Sequence, residues 1–287
     1  MAKRALLCGV NVYEIPGTDL RGCVNDVRNM EGLLTDLFGF DQADISVLLD
    51  GDATKANIQQ GLEELTSGAE AGDVLYFHFS GHGSNVPDDD GDEADGRDEI
   101  FCTTDLDWRD PLRDDWMRQL LDDIPDGVNL TFVSDCCHSG TITRALSPPD
   151  APMIERYLPC PRDIFAAESG RVLRGSVRGG RHTREVAATR GIAGTPDIDI
   201  KDVELTEVLI TGCRADQTSA DAFLDGDYHG ALTHSLAGAI READGQITYR
   251  DLHGAVQEKL ADGGFSQVPQ LEGRASNFDK LFLSSFA

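Results

Sequence analysis

The chain has 287 residues, 40% of them hydrophobic, and a formal net charge of −26. That content suits a sizeable core, no apolar run is long enough to span a membrane, and so negative a chain excludes nucleic acid as partner. Seven cysteines, odd in number and without a CxxC pair, exclude a disulfide framework and a structural zinc site.

The apolar stretch Ala5 to Val10 is too short for a signal peptide, which points to a cytoplasmic protein. It reads as the start of a buried strand, Ala5–Val12. Val24, Val27, Met30, Leu33, Leu34, Leu37 and Phe38 recur at helical spacing, so 23–39 is an amphipathic helix. "DISVLLDGD" is a second strand and turn. "TKANIQQGLEELTSG" has a threonine cap and a terminal glycine, the signature of a helix. "GDVLYFHFSGHGS" is a third strand entering a glycine-rich turn. An acidic loop, 88–99, precedes a short strand in "IFCTTDL" and a helix over 112–124.

"VNLTFVSD" is a fourth strand. From about 141 to 200 periodicity dissolves into Pro, Gly, Ser and Arg. A strand and turn, "EVLITGCRADQTSAD", follow, then helices near 230–243 and 248–260 and an edge strand in "QVPQLEG". Strands alternating with helices give an α/β fold, a mostly parallel central sheet with helices on both faces. One domain, 1–287, has a larger part (1–140), a loop or linker (141–200) and a smaller part (201–287).

Alternation along a strand puts Ser80 and His82 on one side, and Asp135 and Cys137 on one side, at strand ends where active sites of parallel sheets form. Cys136 then points the other way, into packing. A thiol beside an imidazole makes a nucleophile and base. The backbone N–H groups of Gly83 and Cys137 can form an oxyanion hole. Either residue alone is as often structural as catalytic, and the matching parities favour catalysis.

"YFHFSGHGS" and "SDCCHSG" resemble the histidine and cysteine motifs of metacaspases, in the caspase-like cysteine peptidase clan. "LRGCVNDVRNM" and "TGCRADQTSADA" resemble two further motifs, and the four fall in the family's order from about Leu6 to Ala222. The resemblance implies a caspase-like fold and a cysteine endopeptidase cutting after Arg or Lys, with Cys137 as nucleophile and His82 as base and acid. Its implied substrates are proteins or peptides with a basic residue before the cut (P1), held by an S1 pocket of Asp26, Asp135, Cys23 and Ser80. Read without the family, Asp26 is better explained as a carboxylate that complements the dipole at a helix N-terminus. Cys136 stands where the family has a small residue, and His138 and His78 are given no catalytic role.

The chemistry requires no cofactor. Calcium enters as an activator implied by the family, with carboxylates mapping onto Asp98, Asp114 and Asp115; Arg144 replaces a further family carboxylate. The acidic loop misses the EF-hand spacing. A monomer is expected, with room for a regulatory protein and none for a membrane. Two other readings stay open: a catalytically silent caspase-like scaffold, and a peptidase of the same clan with another P1 preference.

Nine arginines and five acidic residues lie between Thr141 and Thr195, a basic stretch in an acidic chain. Such a loop in an arginine-directed peptidase reads as self-processing or inhibitory. The glycine- and serine-rich zone supplies the candidate cleavage positions Arg171, Arg174, Arg178, Arg181, Arg184 and Arg190.

Overall fold

The computed structural model describes residues 1–88, 96–138, 153–164, 199–214 and 217–287. The six candidate cleavage arginines and Arg144 lie outside these residues, as does most of the acidic loop.

The central sheet runs in the order β2 (Ile45–Leu49), β1 (Lys3–Gly9), β3 (Val74–Ser80), β7 (Asn129–Asp135), β10 (Val208–Thr211), β13 (Gln270–Gly273), β9 (Ile200–Asp202). The first five strands are parallel; β13 is antiparallel to β10 and parallel to β9. Its strands alternate between two cores, as a sheet covered on both faces requires. Ala5, Leu7, Val74, Tyr76 and Val133 face the core shared with α1 (Cys23–Asp36), α4 (Ala231–Glu242) and α5 (Tyr249–Asp262). Leu6, Cys8, Leu75, Phe77, Phe79 and Phe132 face the core shared with α2 (Lys55–Thr66) and α3 (Asp114–Leu121). A short helix, α6 (Ala275–Phe278), follows β13.

Two three-stranded sheets flank the strand ends: β4 (Gly83–Pro87) with β5 (Arg97–Phe101) and β6 (Leu112–Arg113), and β8 (Met153–Glu155) with β11 (Ala220–Leu224) and β12 (Asp227–Gly230). The β11–β12 hairpin turns on Asp225 and Gly226, both at positive φ (51° and 99°), which suits the primed turns that join twisted strands.

Several sequence expectations shift. The first strand is Lys3–Gly9, not Ala5–Val12, and β13 is internal because β9 covers its edge. β8 falls within 141–200, the stretch read as loop, β9 begins at its last residue, and β5 begins inside the acidic stretch. These strands are three to five residues long, too short for period two to stand out from local composition. No helix among the described residues is long and apolar enough to cross a membrane.

Candidate active site

The parallel register pairs Ser80 with Asp135 at the carboxyl ends of β3 and β7. After Asp135 the two thiols part. Cys136 lies on the α2–α3 side, its Sγ 3.0 Å from Ser134 Oγ and 3.3 Å from His138 Nε2. Cys137 turns toward β10 and β11. Its Sγ accepts the Ser219 N–H, lies 3.6 Å from the Ser219 carbonyl oxygen and is 3.8 Å from Cys213 Sγ. Burial pushes the Cys137 thiol well above its ordinary range, and Cys213 adds to the rise.

His82 follows β3. Its Nε2 is 2.7 Å from the Thr18 carbonyl oxygen. A carbonyl only accepts, so Nε2 carries the proton and Nδ1 keeps a lone pair. Nδ1 has no hydrogen-bond partner among the described residues. The ring sits 5.0 Å from that of Tyr13, whose hydroxyl accepts the His82 N–H at 2.7 Å. Burial drives the His82 pKa down to about 3 against the pull of the Thr18 carbonyl, so the imidazole is neutral. Sequence reasoning missed both Tyr13 and Thr18, which lie in a loop without periodicity. His78, 0% exposed, belongs to the interior.

Gly83 and Cys137 donate their backbone N–H groups to a single oxygen, the carbonyl of Arg156, at 3.0 and 3.2 Å. A Cβ on Gly83 would stand 2.2 Å from the Cys137 carbonyl oxygen, so only glycine permits this approach.

The Arg156 side chain is wholly buried. Nη2 lies 2.8 Å from Asp26 Oδ2 and 3.1 Å from Asp221 Oδ1; Nη1 lies 3.3 Å from Asp135 Oδ2, 2.8 Å from Ser80 Oγ and 3.0 Å from the Asp135 carbonyl oxygen. These carboxylates are themselves fixed. Asp26 accepts from Ser80 Oγ (2.7 Å) and the Gly230 N–H (3.0 Å). Asp135 accepts from Ser219 Oγ and Thr233 Oγ1, each at 2.7 Å. Asp221 accepts the N–H groups of Arg21 and Gly22, both at 2.9 Å, capping α1 from a distant strand. Burial pushes the Asp26 carboxyl up although Arg156 pulls it down. A Cβ on Gly230 would come within 2.4 Å of Asp135 Oδ2 and Arg156 Nη1, so glycine opens the pocket wall.

Asp26, Asp135 and Ser80 thus converge on one guanidinium. Cys23 is buried beside them, its backbone N–H on Asn11 Oδ1 at 2.8 Å; no hydrogen bond joins its thiol to Arg156 among the described residues. Asp221 was not foreseen as a member, although it lies in the "TGCRADQTSADA" motif. Arg156 was counted among the loop arginines and not among the cleavage candidates.

Two of the three carboxylates mapped to calcium form ion pairs with arginines. Asp98 pairs with Arg113, and Asp114 Oδ2 with Arg118 at 2.7 Å. Among the described residues no group of His, Cys, Asp and Glu could hold a metal ion.

Comparison with known proteins identifies the family and the fold. The family "Metacaspase, peptidase C14 domain" matches residues 3–145. Metacaspase-7 of Arabidopsis thaliana is 49% identical over 49% of this chain, and the match spans 35% of that relative. Metacaspase-1B of Aspergillus fumigatus is 34% identical over 94% of this chain and 69% of its own length. A crystal structure of a Geobacter sulfurreducens protein has a TM-score of 0.68 over the full length of both chains at 23% identity. Caspase-1 of Spodoptera frugiperda gives 0.52 over 95% of this chain and 90% of its own, at 14% identity. At these identities the solved structures speak to the fold alone, which is caspase-like. With Metacaspase-1B matched over 94% of this chain at 34% identity, the chain belongs to the metacaspases, a family of caspase-like cysteine peptidases.

Proposed function

We propose that the chain hydrolyses peptide bonds that follow an arginine, with Cys137 and His82 as its catalytic dyad, and that the Arg156–Tyr157 bond is a substrate in its own chain. The observation that carries the reading is the double engagement of Arg156: carbonyl oxygen on two backbone N–H groups, guanidinium on three buried carboxylates. A planar fork suits carboxylates that accept from two sides, and Lys offers no such fork.

The steps follow from the residues. His82 Nδ1 takes the Cys137 thiol proton, and Sγ attacks the Arg156 carbonyl carbon. The oxygen gains charge between the N–H groups of Gly83 and Cys137. The C–N bond to Tyr157 breaks, and its nitrogen takes the proton from His82. Water then loses a proton to His82 and attacks the thioester, leaving an Arg156 carboxylate and returning the proton to Cys137. Calcium enters none of these steps.

The silent-scaffold reading draws support from the burial that holds thiol and imidazole neutral. A site covered by its own segment has the same appearance, so the two separate on covalent chemistry. Intact mass of the purified chain decides between them. Two fragments meeting at Arg156–Tyr157, absent from Cys137→Ala, are expected; a chain that stays whole and turns over no arginine peptide would overturn the proposal.

A further inference from the structure

The segment Met153–Leu158 crosses the cleft in extended form, and its burial alternates. Met153 is 48% exposed, Ile154 9%, Arg156 0% and Leu158 2%, with Glu155 and Tyr157 in between. An extended chain sends residues i, i+2 and i+4 to one face. Here that face is the enzyme, and it takes Ile154, Arg156 and Leu158.

The backbone is held on both sides of the central carbonyl. Upstream, Ile154 pairs with Asp221 and Glu155 with Ala220 in an antiparallel ladder, and the Arg156 N–H donates to the Ser219 carbonyl at 3.0 Å. Downstream, the Leu158 N–H donates to the Gly83 carbonyl at 3.0 Å, and Ser84 Oγ donates to the Leu158 carbonyl at 2.5 Å. Ile154 and Leu158 both join the apolar cluster that contains Val86, Phe101, Cys102 and Cys136.

Resting on the peptidase reading above, we propose that the cleft selects a five-residue pattern, apolar–x–Arg–x–apolar, with aliphatic side chains two residues before and two residues after the arginine. Strand addition supplies contacts common to any peptide, and the alternate side chains supply the selection. The chain carries the full pattern around Arg156. The same arrangement recurs in sequence as Ile142, Arg144 and Leu146. None of the arginines from Arg171 to Arg190 has an aliphatic residue larger than alanine at both positions, so the pattern disfavours that zone.

The test uses quenched fluorescent peptides. The parent is Met-Ile-Glu-Arg-Tyr-Leu-Pro; variants carry Asp for Ile or Asp for Leu, and two more copy residues 142–146 and 179–183. Each Asp peptide and the 179–183 copy should lose roughly tenfold or more in kcat/KM, the scale of one buried aliphatic side chain. The 142–146 copy should stay near the parent. Values within twofold across the set would overturn the pattern and leave the peptidase reading standing.

A second arm does not depend on the chain's own activity. In Cys137→Ala protein, trypsin should cut after Arg156 at least tenfold faster once Ile154→Asp or Leu158→Asp is added, and no faster with Ile154→Val or Leu158→Met. Equal protection in all four would overturn the anchoring on which the pattern rests. If no arginine peptide is turned over, the peptidase reading falls and this arm alone decides the anchoring.

Discussion

Arg156 and Asp26 form an ion pair at 2.8 Å with both side chains shut off from solvent. They lie 130 residues apart, one just after the short strand β8 and ahead of the arginine-rich stretch, the other in the first turn of α1. Buried pairs of this kind gain little net stability, but removing one partner strands the other in a dry pocket. The pair therefore marks a place built for a guanidinium and costly without one.

Asp26→Asn or Asp135→Asn should lower kcat/KM for arginine peptides by about 2–5 kcal/mol of transition-state binding, the usual cost of truncating a buried charge pair. Asp221→Asn belongs with them and should add a smaller loss of stability, since Asp221 also caps α1. Steady-state kinetics on arginine against citrulline peptides is the check. Unchanged selectivity would remove these residues from the pocket.

Arg156→Gln should stay uncut and expose the nucleophile. The three carboxylates lose their counter-ion, and the segment loses the contact that draws it into the cleft. Alkylation of Cys137 by iodoacetamide should speed up by an order of magnitude or more relative to uncut parent chain. Peptide mapping reads the labelled cysteine.

Cys137→Ala should abolish turnover, while Cys136→Ala should keep much of it. The two thiols sit on opposite sides of the β7 strand end, and the Cys136 Sγ lies at hydrogen-bond range of Ser134 and His138. Loss of activity in both variants, each folded by circular dichroism, would contradict the assignment.

Stability of the uncut Cys137→Ala chain should fall as the pH drops below about 6.5. Burial lowers His78 to about 4 and His82 to about 3. Unfolded histidines bind protons from about 6.5 downward, whereas the folded ones resist until their lowered values. In that window the unfolded state holds more protons, and each histidine removes about 1.4 kcal/mol per pH unit. For His138, burial works to lower the pKa, but Cys136 and Glu99 carry it up to about 10; its stabilisation grows as pH falls to about 6.5 and is complete below that, so it offsets part of the loss near pH 7 and adds no slope well below 6.5. Urea melts at pH 7 and pH 5 measure the difference, and His82→Gln should halve the slope. A flat profile would deny that the two imidazoles are buried neutral.

Sequence alone determined the parts of the site that lie on regular elements. Alternation along β3 and β7 separated Cys137 from Cys136 and put Asp135 on the face of Cys137, because side-chain parity is a local property of a strand; that Ser80 stands level with Asp135 is a matter of register between strands. Helical spacing placed Asp26 at the head of α1 in the same way. Only the tertiary structure decided what completes the pocket and what fills it. Asp221 reaches α1 from 199 residues away, and Tyr13 and Thr18 orient His82 from a loop with no repeating pattern. Arg156 stood among the nine loop arginines outside the zone read as the cleavage region, because the three-residue strand before it carries too few alternations to be read. Its place follows from contacts that exist once β8 lies along β11: a ladder on one side, Gly83 on the other, and three carboxylates that no single stretch of chain could bring together.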